Sequence, residues 1–433
     1  MRRVFRYIPL LCFSAGGLLC GEQSPIPELE EIPAYRLKRN YRPEVTAVRV
    51  YEPPKIDGHL DEAVWHSAPM AGPLLQYQPK SYTHLDQQTF FRVAYDDNNL
   101  YVAIWCWDTE PNRIVARLMR RDDQLWYDDA INIHLDTFND LRNSYTFIVN
   151  PNGARHDAIS TNNANYNSRW DGVWNAKTQI NEYGWQVELA LPFTTFSFDP
   201  ESSQWGLNIG RRIRRSDQRG IWSSPRNSVR GYYMSEAGKL NGLSGLKQGM
   251  GIELNPYILG KQAVDKDLGT DDFEFEWGGD FRYRITPKIS ATVSYNTDFA
   301  AAENDARQVN LTRFSLFFPE KRRFFLEDAG VFNFGGLGGR FRRRTGTRST
   351  PVILPYFSRR IGLSSAGEVV PLVGAVKLTG RVGDFDVGVI DAVVDANGDM
   401  DSQNILVGRV TREIFDQSTI GALFTHGDPN SEY

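Results

Sequence analysis

Three tryptophan side chains lie in polar, turn-like stretches of the sequence, where their rings could serve as flat binding platforms: Trp126, Trp170 and Trp174. A flat aromatic face can stack on the C–H side of a pyranose ring, while neighbouring amides hydrogen-bond the hydroxyls. An asparagine-rich run shortly before Trp170 supplies such amides at Asn162, Asn163 and Asn165. These residues predict a sugar-binding surface. The alternative is that the three indoles fill the edges of sheets.

Several other chemistries find no support in the residue pattern. The six histidines form no His-x-x-x-His or His-Glu-x-x-His motif, and there is no Gly-x-Ser-x-Gly motif or phosphate-binding glycine loop. Only Cys106 lies outside the N-terminal apolar segment, which excludes a disulfide framework or a multi-cysteine metal site and predicts a buried free thiol. The net charge of -4 gives no electrostatic case for a nucleic-acid partner.

The first 21 residues have the pattern of a secretory signal peptide. Arg2, Arg3 and Arg6 precede an apolar stretch over 7–19 that is too short to span a bilayer as a helix. We therefore expect an exported protein of the outer membrane or periplasm. Cys20 could be a lipidation site, but the bulky Leu19 before it disfavours this. No later stretch is long and apolar enough for a transmembrane helix, so any membrane span would consist of strands.

The central part of the chain predicts a β-sandwich over 55–245, preceded by a linker or strand-like lead-in over 22–54. Short apolar or alternating runs at 90–95, 100–107, 130–135 and 185–191 are separated by turn signals, without long helical periodicity. Five further tryptophans fall within these apolar patterns and are expected in the core: Trp65, Trp105, Trp107, Trp185 and Trp205.

From about residue 250 the pattern changes to longer amphipathic strands. Residues 273–285 place aromatic and aliphatic side chains on one face and charged side chains on the other, and similar strands follow at 289–295, 373–382, 384–394, 404–412 and 419–425. Such strands predict an outer-membrane-type β-barrel, with a soluble antiparallel sheet as the alternative. The charged segment 310–345 is expected to be a plug, a long loop or a covering element.

Specific motifs strengthen this all-β prediction. The segment 55–65 (KIDGHLDEAVW), the hairpin over 93–108, the run 126–136 and the strands at 184–193 and 205–209 resemble the family 9 carbohydrate-binding modules in order and spacing. Residues 221–225, 310–330 and 356–363 resemble the domain of unknown function 5916, which looks like an outer-membrane barrel. Because that family is usually longer, the region 250–433 is expected to be a partial barrel that lacks later strands.

The resemblance implies a function and a metal. It implies glycan binding at the cell envelope, with an oligosaccharide or polysaccharide as partner, in capture and catabolism. Family 9 modules can carry structural calcium, and Asp108, Asp128, Asp129 and Asp136 supply oxygen donors of the right kind. Solvated strand ends are the alternative for these carboxylates. Two other functions stay open: an envelope glycoside hydrolase, and a structural outer-membrane protein that binds no sugar.

Overall fold

The computed structural model describes residues 31–38, 41–163, 165–265, 270–297, 320, 322–334, 355–362, 370, 372–396, 402–414 and 418–427. In this part of the chain, strands form three sheets and the helices are short. The prediction of an all-β protein with an N-terminal sandwich and C-terminal amphipathic strands is confirmed. The predicted signal peptide over 1–21 and Cys20 lie outside the described residues.

Two sheets make the sandwich. The large sheet contains β1 (Glu44–Thr46), β3 (Leu75–Gln78), β4 (Thr83–His84), β7 (Ala130–Asp136), β8 (Ser144–Val149), β9 (Arg155–Thr161), β10 (Asn165–Asn167), β13 (Gln204–Ile213), β14 (Gln218–Ile221) and β15 (Gly238–Asn241). The small sheet contains β2 (Val48–Arg49), β5 (Thr89–Tyr95), β6 (Asn99–Trp107), β11 (Asn175–Asn181) and β12 (Gly184–Pro192).

The main core lies between these two sheets. In β7, Ile131, Ile133 and Leu135 are completely buried in it, because alternate residues of a strand point to the same face. Trp185 and Trp205 are also buried in this core, as predicted. Cys106 is a buried free thiol, as predicted, and burial raises its pKa to about 12.

The predicted linker or lead-in contributes a strand to each sheet. β1 pairs in parallel with β15 of the large sheet, and β2 pairs in parallel with β5 of the small sheet. A 3₁₀ turn over Ala34–Leu37 precedes them. The strands of the sandwich therefore begin at Glu44, ahead of the boundary expected at residue 55.

The motif over 55–65 packs on the outer side of the small sheet. It leads into the short helix α1 (Ala63–Ser67), and Trp65 is buried there with Leu60, Ala94, Tyr101 and Ala103. Trp65 was expected in the core, and the structure places it in this second, smaller apolar cluster.

The third sheet, here called the C-terminal sheet, is antiparallel throughout. It contains β16 (Ile252–Asp265), β17 (Thr270–Thr286), β18 (Ile289–Tyr295), β19 (Leu372–Val382), β20 (Phe385–Val394), β21 (Gln403–Ile414) and β22 (Ser418–His426), in chain order. Among the described residues β16 pairs only with β17, and β22 only with β21, so the sheet is open there.

On the C-terminal sheet the apolar side chains are exposed and the polar side chains are buried, the reverse of a soluble sheet. On β17, six apolar side chains are between 42% and 70% exposed: Phe273, Phe275, Trp277, Phe281, Tyr283 and Ile285. Their neighbours Arg282 and Arg284 are buried on the other face, as are Ser290, Thr292 and Lys377. Apolar side chains outside and polar side chains inside are typical of strands that face lipid.

A short segment covers the polar face of this sheet. Within the predicted plug or loop over 310–345, the structure describes 320 and 322–334, which form helix α2 (Arg323–Leu326) and a 3₁₀ turn over Ala329–Phe332. Phe324, Phe325 and Phe332 pack against apolar residues of β19 to β21. The guanidinium of Arg282 bonds the carboxylates of Glu327 at 2.7 Å and Asp328 at 3.0 Å.

The sandwich and the C-terminal sheet are in direct contact. Arg284 donates to the carbonyl oxygens of Thr194 and Phe196, the latter at 3.2 Å. Lys288 pairs with Asp199 at 2.8 Å. None of the helices among the described residues is long and apolar enough to cross a membrane.

Candidate functional site

The outer face of the large sheet carries polar and aromatic side chains in ordered rows. Because Ile131, Ile133 and Leu135 face the core, Asn132, His134 and Asp136 face outward. The strand pairings align Asn208, His134, Thr146 and Ala158 in one row, and Gly210, Asn132, Ile148 and His156 in the next. Asn132, Ile148 and Arg212 are half-buried, so part of this face is open to solvent.

Three tyrosines stand on this face. Tyr166 on β10 and Tyr232 have ring centroids 5.3 Å apart, and Tyr232 and Tyr233 meet edge to face at 5.2 Å. Tyr166 is 38% exposed, and the other two are half-buried. We call Tyr166, Tyr232 and Tyr233 the tyrosine patch.

Two histidines support the tyrosine patch from the sheet. The His134 ring lies 6.3 Å from that of Tyr232, and its Nδ1 is 2.9 Å from the hydroxyl of Thr146. The His156 Nε2 is 3.4 Å from the hydroxyl of Tyr166. Burial lowers the pKa of His134 to about 3, so its imidazole is neutral at neutral pH. Burial also lowers the pKa of His156, an effect that the carboxylate of Asp122 opposes.

The backbone over the patch is closely fitted to the sheet. A Cβ at Gly231 would lie 2.6 Å from Nε2 of His134, so only glycine allows the chain to pass this near. Asn208 donates to the carbonyl oxygen of Gly231 at 3.3 Å and holds the same stretch. Together these contacts give a patch of aromatic faces with fixed positions, neutral imidazoles beneath it and polar side chains beside it. Such a surface suits a neutral, polyhydroxylated ligand.

The three tryptophans predicted as stacking platforms differ in solvent exposure. Trp126 is 48% exposed on a 3₁₀ turn (Leu125–Tyr127), with its ring 6.1 Å from that of Tyr127. Trp170 and Trp174 are only 7% and 4% exposed and belong to the main core. The prediction that these two act as stacking platforms is therefore wrong in this structure, because a buried ring offers no face to a ligand.

Aromatic packing explains the burial of the two indoles. Trp170 packs against Tyr145 at 5.1 Å and Phe147 at 6.0 Å, and Trp174 packs against Phe147 at 5.2 Å. The guanidinium of Arg155 lies 5.5 Å from the Trp174 ring. Both tryptophans close the edge of the core, which is the alternative stated for them above.

Of the three predicted asparagines, two lie in a turn, and one of these has a structural role. Asn162 and Asn163 both adopt positive φ. The Asn163 amide donates to the carbonyl of Leu141 at 2.8 Å and accepts from the backbone N–H of Met234 at 2.7 Å, so its role is structural. Asn162 is exposed, and the side chain of Asn165 lies outside the described residues.

The four predicted calcium ligands do not form one site. Asp108 is bound by Arg215 through two hydrogen bonds of 2.6 and 2.8 Å. One carboxylate oxygen of Asp128 accepts from the backbone N–H groups of Arg117 and Leu118, each at 2.8 Å. In the described parts of the chain, no group of three or more His, Cys, Asp or Glu side chains could hold a metal ion.

The remaining two carboxylates lie at opposite ends of β7. Asp129 precedes the strand and accepts from the backbone of Arg214 at 2.7 Å, while Asp136 ends it and accepts from Asp140 and Leu141. Seven residues of extended strand separate their ends by roughly 20 Å. Burial raises the pKa of both carboxyls, most strongly that of Asp136. The donor set expected from sequence therefore does not fit a shared calcium ion.

Comparison with known proteins supplies the family context. Residues 56–220 match the model of the family described as "Carbohydrate family 9 binding domain-like". Residues 250–417 match the family described as "Domain of unknown function (DUF5916)". Both resemblances predicted from the motifs are confirmed, in the predicted order. No curated protein matches the chain.

Solved structures with likeness to the chain include carbohydrate-binding modules. A carbohydrate binding module family 9 from Caldicellulosiruptor kristjanssonii in complex with cellotriose is 17% identical, with 47% of this chain and 95% of that chain covered and a TM-score of 0.35. The same module in complex with glucose is 18% identical, with 47% of this chain and 96% of that chain covered and a TM-score of 0.35. A protein from Bacteroides uniformis ATCC 8492, provisionally described as carbohydrate-binding, is 11% identical, with 46% of this chain and 99% of that chain covered and a TM-score of 0.39.

The tyrosine patch was not among the residues predicted from sequence. Tyr166 lies beside the predicted Asn165, and the Tyr232-Tyr233 pair interrupts the polar stretch 226–236. Aromatic residues inside polar stretches are the same signal that selected Trp126. Applied to tyrosines as well as tryptophans, that signal would have found all three.

Proposed function

We propose that the sandwich binds carbohydrate through the tyrosine patch. The observation that carries this proposal is the match of residues 56–220 to the carbohydrate family 9 binding-like model. The tyrosine patch supplies the aromatic faces that stacking on sugar rings requires. The half-buried Asn132 and Arg212 supply hydrogen-bonding groups for hydroxyls.

The test is a glycan array on the full chain, followed by calorimetric titration with the best neutral glycan. Tyr232→Ala should weaken binding about tenfold, because one stacking contact contributes roughly 1–2 kcal/mol. Tyr232→Phe keeps the ring and should bind nearly as well as the wild type. Tyr51→Ala is the matched control, since Tyr51 is 91% exposed in the lead-in to the sandwich.

Two results would redirect the proposal. If Trp126→Ala loses glycan binding and Tyr232→Ala keeps it, the site lies at the exposed Trp126–Tyr127 pair. No glycan bound by the wild type would favour a structural role for the sandwich instead.

We also propose that the chain is exported and that its C-terminal sheet lies in the outer membrane. Support comes from the exposed apolar face of β17 and the polar, covered opposite face. A charge on the lipid side of a membrane strand costs about 2–4 kcal/mol at mid-bilayer. Trp277→Asp with Phe281→Asp should therefore reduce recovery in the outer-membrane fraction after an alkaline wash.

Ile180→Asp is the matched control, because Ile180 is an exposed apolar strand residue of the sandwich. If the wild type washes off the membrane as readily as the double variant, the membrane proposal fails. That result would leave the sugar-binding proposal untouched.

A further inference from the structure

A cavity of about 350 Å³ lies where the sandwich meets the C-terminal sheet. Asp136, Ser144 and Ser160 line it from the large sheet, while Arg381 and Arg409 line it from the C-terminal sheet. Its volume falls at the lower end of the range for small-ligand pockets, about 300–1,000 Å³. The exposed Asn162 is also a lining residue, so the cavity reaches the surface.

Three buried side chains of this cavity have polar atoms without a partner among the described residues. They are the hydroxyls of Ser144 and Ser160 and the Nε and Nη1 atoms of Arg409. The three side chains are only 4%, 1% and 7% exposed. Ser144 and Ser160 are paired residues of β8 and β9, so their hydroxyls lie side by side. Buried polar groups are normally hydrogen-bonded, and a buried unpaired cation is especially unfavourable.

The carboxylates of the cavity are already engaged by other groups. Asp140 accepts from the backbone of Arg142 and Asn143, each at 2.9 Å. Asp386 pairs with Arg381 at 2.7 Å.

Two more carboxylates of the cavity are engaged in the same way. Asp328 binds Arg282 at 3.0 Å and Thr379 at 2.7 Å. Asp136 accepts from two backbone N–H groups, those of Asp140 and Leu141. The buried lining side chains with unpartnered polar atoms among the described residues are therefore Arg409, whose guanidinium lies 5.3 Å from the Phe334 ring, and the adjacent Ser144 and Ser160.

We propose that this cavity binds the acidic end of a saccharide, with a uronate carboxylate on Arg409 and ring hydroxyls on Ser144 and Ser160. An anion satisfies the guanidinium, and hydroxyls satisfy the serines, each of which can donate and accept. A space of 350 Å³ is larger than an isolated inorganic anion needs, which favours a sugar ring. The choice of a saccharide rests on the proposed function. The cavity adjoins the tyrosine patch, because Ser160 of the cavity and Tyr166 of the patch are paired residues of β9 and β10.

The experiment is calorimetric titration of the full chain with digalacturonic acid and with its dimethyl ester, which lacks the charge. The acid should bind at least about tenfold more tightly than the ester, since it adds charge-assisted hydrogen bonds to Arg409. Arg409→Gln should remove that preference, and Arg409→Lys should retain part of it. Ser144→Ala with Ser160→Ala should weaken the acid and the ester equally.

Arg412→Gln is the matched control. Arg412 lies on the same strand, β21, but is exposed and pairs with Asp384 at 3.2 Å. Equal melting temperatures of the wild type, Arg409→Gln and Arg409→Lys exclude unfolding as the cause of a change. Equal binding of acid and ester by the wild type, or an unchanged preference in Arg409→Gln, would overturn the inference. Binding of neutral glycans without binding of the acid would overturn it too, while the tyrosine-patch proposal would stand.

Discussion

The indole nitrogen of Trp65 donates a hydrogen bond of 2.9 Å to a carboxylate oxygen of Glu188, across 123 positions of sequence. The other carboxylate oxygen of Glu188 accepts from the backbone N–H groups of Asp57 and Gly58 at 3.1 and 3.3 Å. Glu188 on β12 thus holds the whole motif over 55–65 against the outer side of the small sheet. Its side chain is fully buried, so its ionisation should affect folding.

We expect a pH-dependent contribution of Glu188 to stability. Burial raises the pKa of Glu188 to about 7, against the opposing hydrogen bonds from Trp65, Gly58 and Asp57. A raised acid pKa means that the folded state keeps a proton that the unfolded state loses. This contribution is fully present below the unfolded-state pKa of about 4.3 and is lost as pH rises through about 7.

Urea unfolding of the wild type and Glu188→Gln between pH 4.5 and 8 tests this expectation. The wild type should lose stability over that range relative to the variant, and the difference should level off above pH 7.5. Parallel pH profiles for the two proteins would contradict it.

The buried tryptophans should act on stability and the exposed one should not. Trp170→Ala or Trp174→Ala should each lower the free energy of unfolding by about 3–5 kcal/mol, because each leaves a cavity in the main core. Trp126→Ala should change it by less than about 0.5 kcal/mol, as for an exposed side chain. Thermal and urea denaturation measure both. A loss at Trp126 equal to that at Trp174 would contradict the burial described above.

The pair of Asp108 and Arg215 should stabilise the sandwich without calcium. Asp108→Asn leaves the Arg215 guanidinium without its buried carboxylate and should cost about 3–5 kcal/mol. Glu44→Gln is the matched control, since its exposed pair with Lys239 should contribute less than about 1 kcal/mol. Chelation with EDTA should leave the melting temperature of the wild type unchanged. A fall in melting temperature that added calcium restores would reinstate a metal site.

Local pattern predicted much of the strand structure. The alternation of Phe273, Phe275 and Trp277 along one strand assigns them to one face, and the structure places them together on β17. Two-residue periodicity depends only on the geometry of a strand, so a single sequence carries it. Which face meets water depends on what covers it. The two-residue alternation of apolar and charged residues therefore did not predict whether the apolar face would be buried or exposed.

Long-range contacts explain what sequence analysis missed. Trp174 follows a polar segment, yet it packs in the core against Phe147 of β8. Tyr166 and Tyr232 are far apart in sequence and meet only because a loop crosses the outer face of the large sheet. The family resemblance suggested Asp129 and Asp136 as calcium ligands, but an extended strand separates them. The burial of Trp174 and the contact between Tyr166 and Tyr232 follow from tertiary packing, which neighbouring residue types do not encode.

Arg282 should hold the covering segment over 322–334 on the C-terminal sheet. Its guanidinium is buried between the carboxylates of Glu327 at 2.7 Å and Asp328 at 3.0 Å, and Glu327 also binds Arg323 at 2.9 Å. Arg282→Met leaves the buried carboxylate of Glu327 and the half-buried carboxylate of Asp328 short of a partner, a change that typically costs about 3–5 kcal/mol. Because the carboxylates belong to the covering segment, that cost is relieved when the segment lifts from the sheet into water. We therefore expect faster proteolytic cleavage after Arg323 in Arg282→Met than in the wild type.

The matched control for this prediction is Arg412→Met, which removes an ion pair on the exposed surface of the same sheet. It should leave the cleavage rate after Arg323 unchanged, since surface pairs contribute little. The double variant Arg282→Met with Glu327→Gln should recover part of the protection, because it also removes one stranded buried charge. Equal cleavage rates in Arg282→Met and the wild type would mean that the phenylalanine contacts of Phe324 and Phe325 hold the segment without the ion pairs. A rate that rises in Arg282→Met and falls again in the double variant would assign the holding interaction to the charges.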